Sequence, residues 1–485
     1  MKYTPIQNFI NGGFVPAESS KTLDVISPID GTFLSTVPMS SSADLDAAVV
    51  AAKKAFPAWS KTPIKERVQV FFRYKYLLEK HLKELAELCS EENGKTYGES
   101  VAEIEKCIEL TEFATSLPQL VTGELLEVSR GVECRTEHVP LGVVASIVPF
   151  NFPSMVPNWT MPNAIALGNC MIIKPSEKVP LSCGRLAELL KEAGLPDGVF
   201  NVVHGDVEIV NAICDHPGIE AVSFVGSTKV AKIVYQRSTA HYKRCLALGG
   251  AKNHLMVLPD AIPGMTAQNV AASMSGCAGQ RCMAASAMIG VGNVDAIIEK
   301  ICEEARKIVP GENLGAVINK ASQERIERFI GEAERDGAKI LVDGRNTKVA
   351  GKENGTYVGP TVIDYVKPTM SVATEEIFGP VISIMRTNTV DEALAIENAS
   401  PYGNAASVFT QNGGMARYII DKASAGMIGV NVGVPVPREP FSFGGWNESK
   451  FGVGDITGKS SIEFWTKLKK STIKWNAEAG VNWMS

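Results

Sequence analysis

Gly142-Val143-Val144-Ala145-Ser146-Ile147-Val148 carries no charge, and Pro149-Phe150-Asn151-Phe152-Pro153 closes it. An apolar run of this length between turn formers predicts a strand buried on both faces, as in a parallel sheet covered by helices. Three similar runs follow at Met171–Ile173, Phe200–Val203 and Ala221–Val225, each bounded by Pro, Gly or Asn. Helical patterns at Ser182–Ala193 and Val207–Cys214 lie between them. Strand and helix in alternation predict βαβ units and an α/β fold. A second alternation follows Ala251, with helices predicted over Thr266–Ala272, Val294–Ile308 and Gln323–Asp336 and strands over Lys339–Val342 and Val381–Arg386. It implies a second α/β domain. No sequence repeat is present.

Upstream, Ile6–Ile10 and Leu23–Val25 read as short strands. A helix is predicted from Ser41, where Ser41-Ser42-Ala43-Asp44 forms a capping signature before Leu45, Val49, Ala52 and Phe56. Lys65–Leu88 and Gly98–Ala114 read as long amphipathic helices. Leu120–Val139 and Glu463–Trp475 fit neither domain. They alternate apolar and polar residues, and such distant ribbons pair with each other or with another subunit. They predict an oligomerisation arm and a homo-oligomer, dimer or tetramer.

A chain of 485 residues exceeds one small core, so two or more domains are expected. With 45% hydrophobic, 21% charged and 7% aromatic residues, its composition is that of an ordinary globular protein. The formal charge of −5 argues against a nucleic-acid binder. No apolar run reaches the length of a membrane span, and Met1-Lys2-Tyr3-Thr4-Pro5-Ile6-Gln7-Asn8 lacks the apolar core of a secretory signal. The expected location is therefore cytoplasmic. Ten cysteines scattered from Cys89 to Cys302 suit reduced thiols rather than a disulfide framework. Among six histidines there is no His-Glu-x-x-His, and no Cys-x-x-Cys occurs, so no metal site is expected.

Four short stretches can carry chemistry. In Gly279-Gln280-Arg281-Cys282-Met283-Ala284, a thiolate could attack an aldehyde carbonyl, and the resulting thiohemiacetal can lose hydride to become a thioester. Taken alone, a small buried hydrophobe is the commoner role for cysteine, and Cys277 is a rival. Asn151 follows a predicted strand, where its amide could donate to a developing oxyanion; a turn between prolines is as good an account. Lys174-Pro175-Ser176-Glu177 also follows a strand end and could hold ribose hydroxyls, with the carboxylate repelling a 2′-phosphate. A solvated charge pair is the bland reading. Phe224-Val225-Gly226-Ser227-Thr228 could offer a helix N-terminus to a pyrophosphate, although the G-x-G-x-x-G fingerprint is absent.

Together these stretches, with Glu375-Glu376-Ile377-Phe378-Gly379-Pro380, stand in the order of the aldehyde dehydrogenase superfamily, and the resemblance covers almost the whole chain. It implies a Rossmann-like NAD domain (1–119 and 140–248), an α/β catalytic domain (249–447) and a β oligomerisation arm (120–139 and 448–485). It further implies that Cys282 is the nucleophile and Asn151 the oxyanion donor. Phe150, Lys174, Ser176, Glu177, Gly226, Ser227, Glu376 and Phe378 would form the NAD site. Hydrolytic members carry a Glu before the Leu-Gly-Gly segment. Here Leu246-Ala247-Leu248-Gly249-Gly250-Ala251-Lys252-Asn253-His254 places Ala247 at that position. Without that base attack by water should be slow, whereas a thiol is intrinsically nucleophilic, which favours coenzyme A as acceptor.

Gly250–His254, Gly279–Ala284, Ile428–Pro435 and Phe441–Trp446 resemble the methylmalonate-semialdehyde dehydrogenase branch, which forms acetyl-CoA or propanoyl-CoA with loss of carbon dioxide. That resemblance implies that Arg281 binds the substrate carboxylate. Lys106 stands where the branch carries a second arginine, keeping the charge and losing the planar fork. A solvated helix charge is the other reading of Lys106. Three other functions are weighed against this one: a dehydrogenase for another aldehyde, hydrolytic or acylating, a non-catalytic NAD-binding structural protein, and a cysteine acyltransferase or hydrolase that binds no nucleotide. The second would need none of Cys282, Asn151 and Glu376.

Overall fold

The computed structural model describes residues 1–475, so residues 476–485 of the expected arm lie outside the described residues. The apolar run Gly142–Val148 forms the strand Val143–Ile147, buried at every position. It lies inside an eight-stranded sheet with Cys170–Lys174, Phe200–Val202, Ala221–Val225 and Arg244–Leu248 as its parallel partners. Asn8–Ile10 joins this parallel core antiparallel at one edge, and Lys450–Phe451 at the other. Chain order reverses between Val143–Ile147 and Ala221–Val225, which leaves a crevice beyond the carboxyl ends of those strands.

A second, seven-stranded sheet runs in the order Lys339–Val342, Thr361–Asp364, Val381–Thr387, Ala285–Val291, Asn253–Val257, Ala405–Phe409, Met427–Val430. All its pairings are parallel except that of Lys339–Val342. Separate apolar clusters cover its two faces, one around Ile326 and Ile330 and the other around Ile297 and Ile301.

Two departures from the sequence reading concern boundaries. Lys65–Leu88 is not one helix: Ile64–Lys80 and Leu82–Asn93 meet at His81, whose backbone leaves the helical region at φ −102° and ψ 14°. The turn aims the second helix at Leu181–Glu192, and Arg185 Nε donates to Glu84 Oε1 at 2.6 Å across that contact. Apolar spacing runs through the break because Leu77, Leu78 and Leu85 all enter the same core. The arm is also shorter than predicted. Leu120 ends the helix Tyr97–Leu120, Lys450–Phe451 belongs to the first sheet, and Ser460–Trp465 is helical with Trp465 fully buried.

The two distant ribbons do pair with each other. Thr466–Lys474 lies antiparallel to Val132–Pro140, which also pairs with Leu125–Ser129. Leu125, Leu126 and Val128 of that outer strand are exposed. Among the described residues no helix is long and apolar enough to cross a membrane.

Candidate active site

Cys282 lies between a short turn, Gly276–Gly279, and the strand Ala285–Val291 of the second sheet. The turn is tightly wound: Cys277 and Ala278 have left-handed backbones at φ 51° and 53°. Gly279 follows at φ +70°, and a Cβ there would lie 2.0 Å from the Gly379 carbonyl oxygen, so glycine is required. Beyond the turn, the Cys282 carbonyl accepts from the side-chain amides of Asn253 at 2.7 Å and Asn404 at 2.9 Å. These two asparagines fix the backbone that carries the sulfur. Burial pushes the thiol up to about 12, and the Glu376 carboxylate acts in the same direction. Arg281 and the backbone N–H groups of Cys282 and Met283 pull the other way. At rest and neutral pH, the thiol therefore holds its proton.

Asn151 reaches the same place from the first sheet, on the loop after Val143–Ile147. Its Nδ2 donates to the Gln280 carbonyl at 2.9 Å, which joins the two sheets beside Cys282. An ion pair anchors this loop. Lys95 Nζ and Glu103 Oε2 stand 2.5 Å apart with both side chains wholly buried. Lys95 also donates to the Asn151 carbonyl at 2.8 Å, and Glu103 Oε1 accepts from the N–H groups of Ser154 at 2.8 Å and Met155 at 2.9 Å. Each charge is thus paired and hydrogen-bonded, the condition under which burial of an ion pair is tolerated.

On one side of Cys282 a cavity of about 740 Å³ runs over the carboxyl ends of the first sheet. Phe150, Asn151, Lys174, Ser176, Glu177, Gly226, Ser227, Glu376 and Phe378 all line it. Lys174 Nζ is 3.2 Å from Glu177 Oε2, and burial lowers the Lys174 ammonium against the opposing pull of Glu177. Gly226 ends the strand Ala221–Val225, and Ser227 caps the helix Thr228–Ala240. Glu376 Oε1 accepts from the Ala251 N–H at 3.0 Å, while Arg325 holds the carbonyls of Glu376 and Ile377. Burial raises the Glu376 carboxyl to about 7, opposed by that N–H and by Lys252. The Phe150 and Phe378 rings meet edge to face, centroids 5.8 Å apart, and Phe378 takes a left-handed φ of 55°.

This arrangement fits a dinucleotide. A carboxylate–ammonium pair stands near one end, a helix N-terminus in the middle and a second carboxylate near Cys282. Gly250 is part of the fit, since a Cβ there would lie 2.5 Å from Glu376 Oε2 and occupy the cradle.

On the other side of Cys282 lies a second cavity, of about 660 Å³, with Phe152, Trp159, Val432, Val434 and Phe443 forming apolar walls. Arg281 and Lys106 line it too. Arg281 Nη2 donates to the Ala272 and Ser273 carbonyls at 2.8 and 3.3 Å, and its buried Nε has no partner. Lys106 is not a solvated helix charge: its Nζ donates to Glu439 Oε2 at 2.7 Å and lies 3.2 Å from Glu109 Oε1. Ala247 is fully buried in the strand Arg244–Leu248, opposite Phe224 and Phe451, and lines neither cavity. Glu99 and Glu103, which reach the second cavity, are engaged by the Cys277 N–H and by Lys95. Among the described residues no His, Cys, Asp and Glu cluster could hold a metal ion.

The sequence reading missed Lys95, Glu103, Asn253, Asn404 and Glu439. Lys95 follows Gly94, a helix C-cap at φ 91°, and nothing in that local pattern marks its side chain as buried.

Fold, cysteine loop and paired cavities are those of an aldehyde dehydrogenase, and residues 14–471 match the aldehyde dehydrogenase family model; the chain belongs to that family. It is 44% identical over 478 residues to malonate-semialdehyde dehydrogenase 1 of Geobacillus thermodenitrificans, covering 97% of this chain and 99% of that one. It is 42% identical to the human mitochondrial methylmalonate-semialdehyde/malonate-semialdehyde dehydrogenase [acylating], over 98% of this chain and 90% of that protein. A crystal structure of methylmalonate-semialdehyde dehydrogenase from Oceanimonas doudoroffii superimposes with a TM-score of 0.96 at 42% identity, covering 98% and 99% of the two chains. Another, of a Sinorhizobium meliloti protein assigned as a methylmalonate-semialdehyde dehydrogenase and complexed with NAD, gives 0.97 at 40% identity and 99% coverage of both.

Proposed function

We propose that this chain oxidises malonate and methylmalonate semialdehyde with NAD and transfers the acyl group to coenzyme A, giving acetyl-CoA and propanoyl-CoA with loss of carbon dioxide. The observation that carries this reading is the position of Cys282, which lines both cavities and so faces a dinucleotide on one side and an aldehyde on the other. The names of the relatives point to the same substrates and acceptor.

In the mechanism, Cys282 gives up its proton to water as substrate binds and its sulfur adds to the aldehyde carbon. The free hydrogen of the Asn151 amide and the Cys282 backbone N–H hold the oxygen as it gains charge. Bound NAD supplies the acceptor for the hydride that leaves this carbon. A thioester on Cys282 remains, and its β-carboxylate leaves as carbon dioxide because the departing electron pair enters the thioester carbonyl; the α-carbon then takes a proton from water. With Ala247 in place of a base, water is a poor acceptor, and the thiol of coenzyme A takes the acyl group. Lys174, Ser176 and Glu177 would hold the adenosine ribose, Ser227 the pyrophosphate, and Glu376 and Phe378 the nicotinamide end. The exposed strand Leu125–Ser129 supports assembly into a homo-oligomer through the ribbon.

Arg281, which lines the substrate-side cavity with Cys282, is the proposed receptor of the substrate carboxylate. Arg281→Leu should raise KM for malonate semialdehyde by at least ~10-fold, the scale of a lost charge-assisted bond, and raise KM for propanal much less. Steady-state NADH formation on both substrates checks this, and equal effects would remove the carboxylate role.

A second reading, hydrolytic turnover, is favoured by one observation. Glu376 lines the cofactor-side cavity with Cys282, and its carboxyl is pushed up to about 7, a value suited to a general base.

A further inference from the structure

Resting on the substrate reading above, the second cavity holds a contradiction that concerns specificity. Lys106, the second cation proposed for the substrate carboxylate, already has a carboxylate partner. Glu439 Oε2 lies 2.7 Å from its Nζ, and the Glu439 side chain is only 7% exposed against 18% for Lys106. The two residues are 333 positions apart, so the pair is made by the fold and not by helix spacing. Both line the cavity shared by Arg281 and Cys282.

Glu109 stands 3.2 Å from the ammonium from its own helix, and Arg438 lines the cavity beside Glu439. The segment from Asn431 to Phe443 that carries Glu439 contains neither helix nor strand, and it also places Val432, Val434 and Val436 against the cavity. Its backbone has no sheet ladder to break when the side chain shifts.

We propose that Glu439 is a specificity-determining residue that occupies the Lys106 side of the carboxylate subsite as an internal stand-in, so that a carboxylated aldehyde must displace it to bind. Two carboxylates on one ammonium repel each other, and the cost falls on the incoming one because Glu439 is tethered and already desolvated. An uncharged aldehyde leaves the pair closed. The residue therefore lowers the advantage that Arg281 gives to acidic substrates and tunes the selectivity between acidic and neutral aldehydes. Glutamine at 439 can still accept a hydrogen bond from Lys106 but carries no competing charge.

The test is competitive inhibition of propanal oxidation by 3-hydroxypropanoate, a carboxylated analogue whose alcohol cannot form a thiohemiacetal, compared with 1-propanol as the neutral probe. In Glu439→Gln the ratio of the 1-propanol inhibition constant to that of 3-hydroxypropanoate should rise about three- to tenfold over the wild type, the scale of a partly screened like-charge contact. Lys106→Met, measured in parallel, should lower the same ratio by a similar factor. An unchanged or lower ratio in Glu439→Gln overturns the proposal, because a mere loop tether would weaken both probes alike. No inhibition of either protein by 3-hydroxypropanoate overturns it as well. Since propanal reports the result, failure of malonate semialdehyde as a substrate would be seen separately, as absent turnover of that aldehyde.

Discussion

Cys282→Ala is expected to lower NADH formation by about 10⁴-fold or more, the scale of losing a covalent nucleophile. No other described cysteine lines both cavities. Cys277, its rival in sequence, lines only the substrate-side cavity and is 5% exposed. Its backbone is held in the left-handed region, and its N–H donates to Glu99 Oε1 at 2.5 Å. That geometry makes Cys277 part of the turn that presents Cys282, so Cys277→Ala should keep the chemistry and lose some stability. Rapid mixing with aldehyde and NAD checks the assignment through the first turnover, before any acceptor acts. Mass spectrometry of the quenched protein should find the acyl adduct in the wild type and none in Cys282→Ala. Near-normal turnover in that variant would transfer the role to Cys277.

Asn151→Ala should lower kcat by about 10²–10³-fold, equivalent to about 2.7–4 kcal/mol, the range for loss of one oxyanion donor. The effect should fall on the chemical step. Lys95 holds the Asn151 backbone carbonyl rather than its side chain, and Glu103 holds the N–H groups of Ser154 and Met155. Removing the amide leaves those contacts, so the loop keeps its place. The Gln280 carbonyl is buried, so the lost bond should add a modest loss of stability to the loss of kcat. Measurement of kcat beside NAD affinity by fluorescence quenching separates the two roles. A loss of affinity as large as the loss of kcat would mean that the loop had moved and that Asn151 acts by support.

Much of the first sheet was legible because its strands are buried on both faces and read as continuous apolar runs, as Val143–Ile147 and Cys170–Lys174 do. The capping box at Ser41 and Asp44 likewise marked its helix correctly. The second sheet was read only at Lys339–Val342 and Val381–Arg386. Ala285–Val291 escaped because its small residues, Ala285, Ser286, Ala287 and Gly290, match strand and buried helix equally well. The break at His81 escaped because one residue of non-helical backbone leaves the apolar spacing intact. At the site, residues within one short motif could be proposed from the sequence, including Cys282, Asn151 and Glu376, and the fold brings all three to the cofactor-side cavity. Those acting in pairs across the chain could not: Glu439 gains its meaning from Lys106, and Asn253 and Asn404 theirs from one carbonyl that only the folded second sheet brings to them.

The direct test of coenzyme A as acceptor is steady-state NADH formation from malonate semialdehyde with and without coenzyme A, with acetyl-CoA quantified in the same samples. Sustained NADH production that requires coenzyme A and matches acetyl-CoA is the predicted result, since Ala247 leaves water without the base that hydrolytic relatives carry. Equal sustained NADH production without coenzyme A, and no acetyl-CoA formed in its presence, would contradict the account and make water the acceptor.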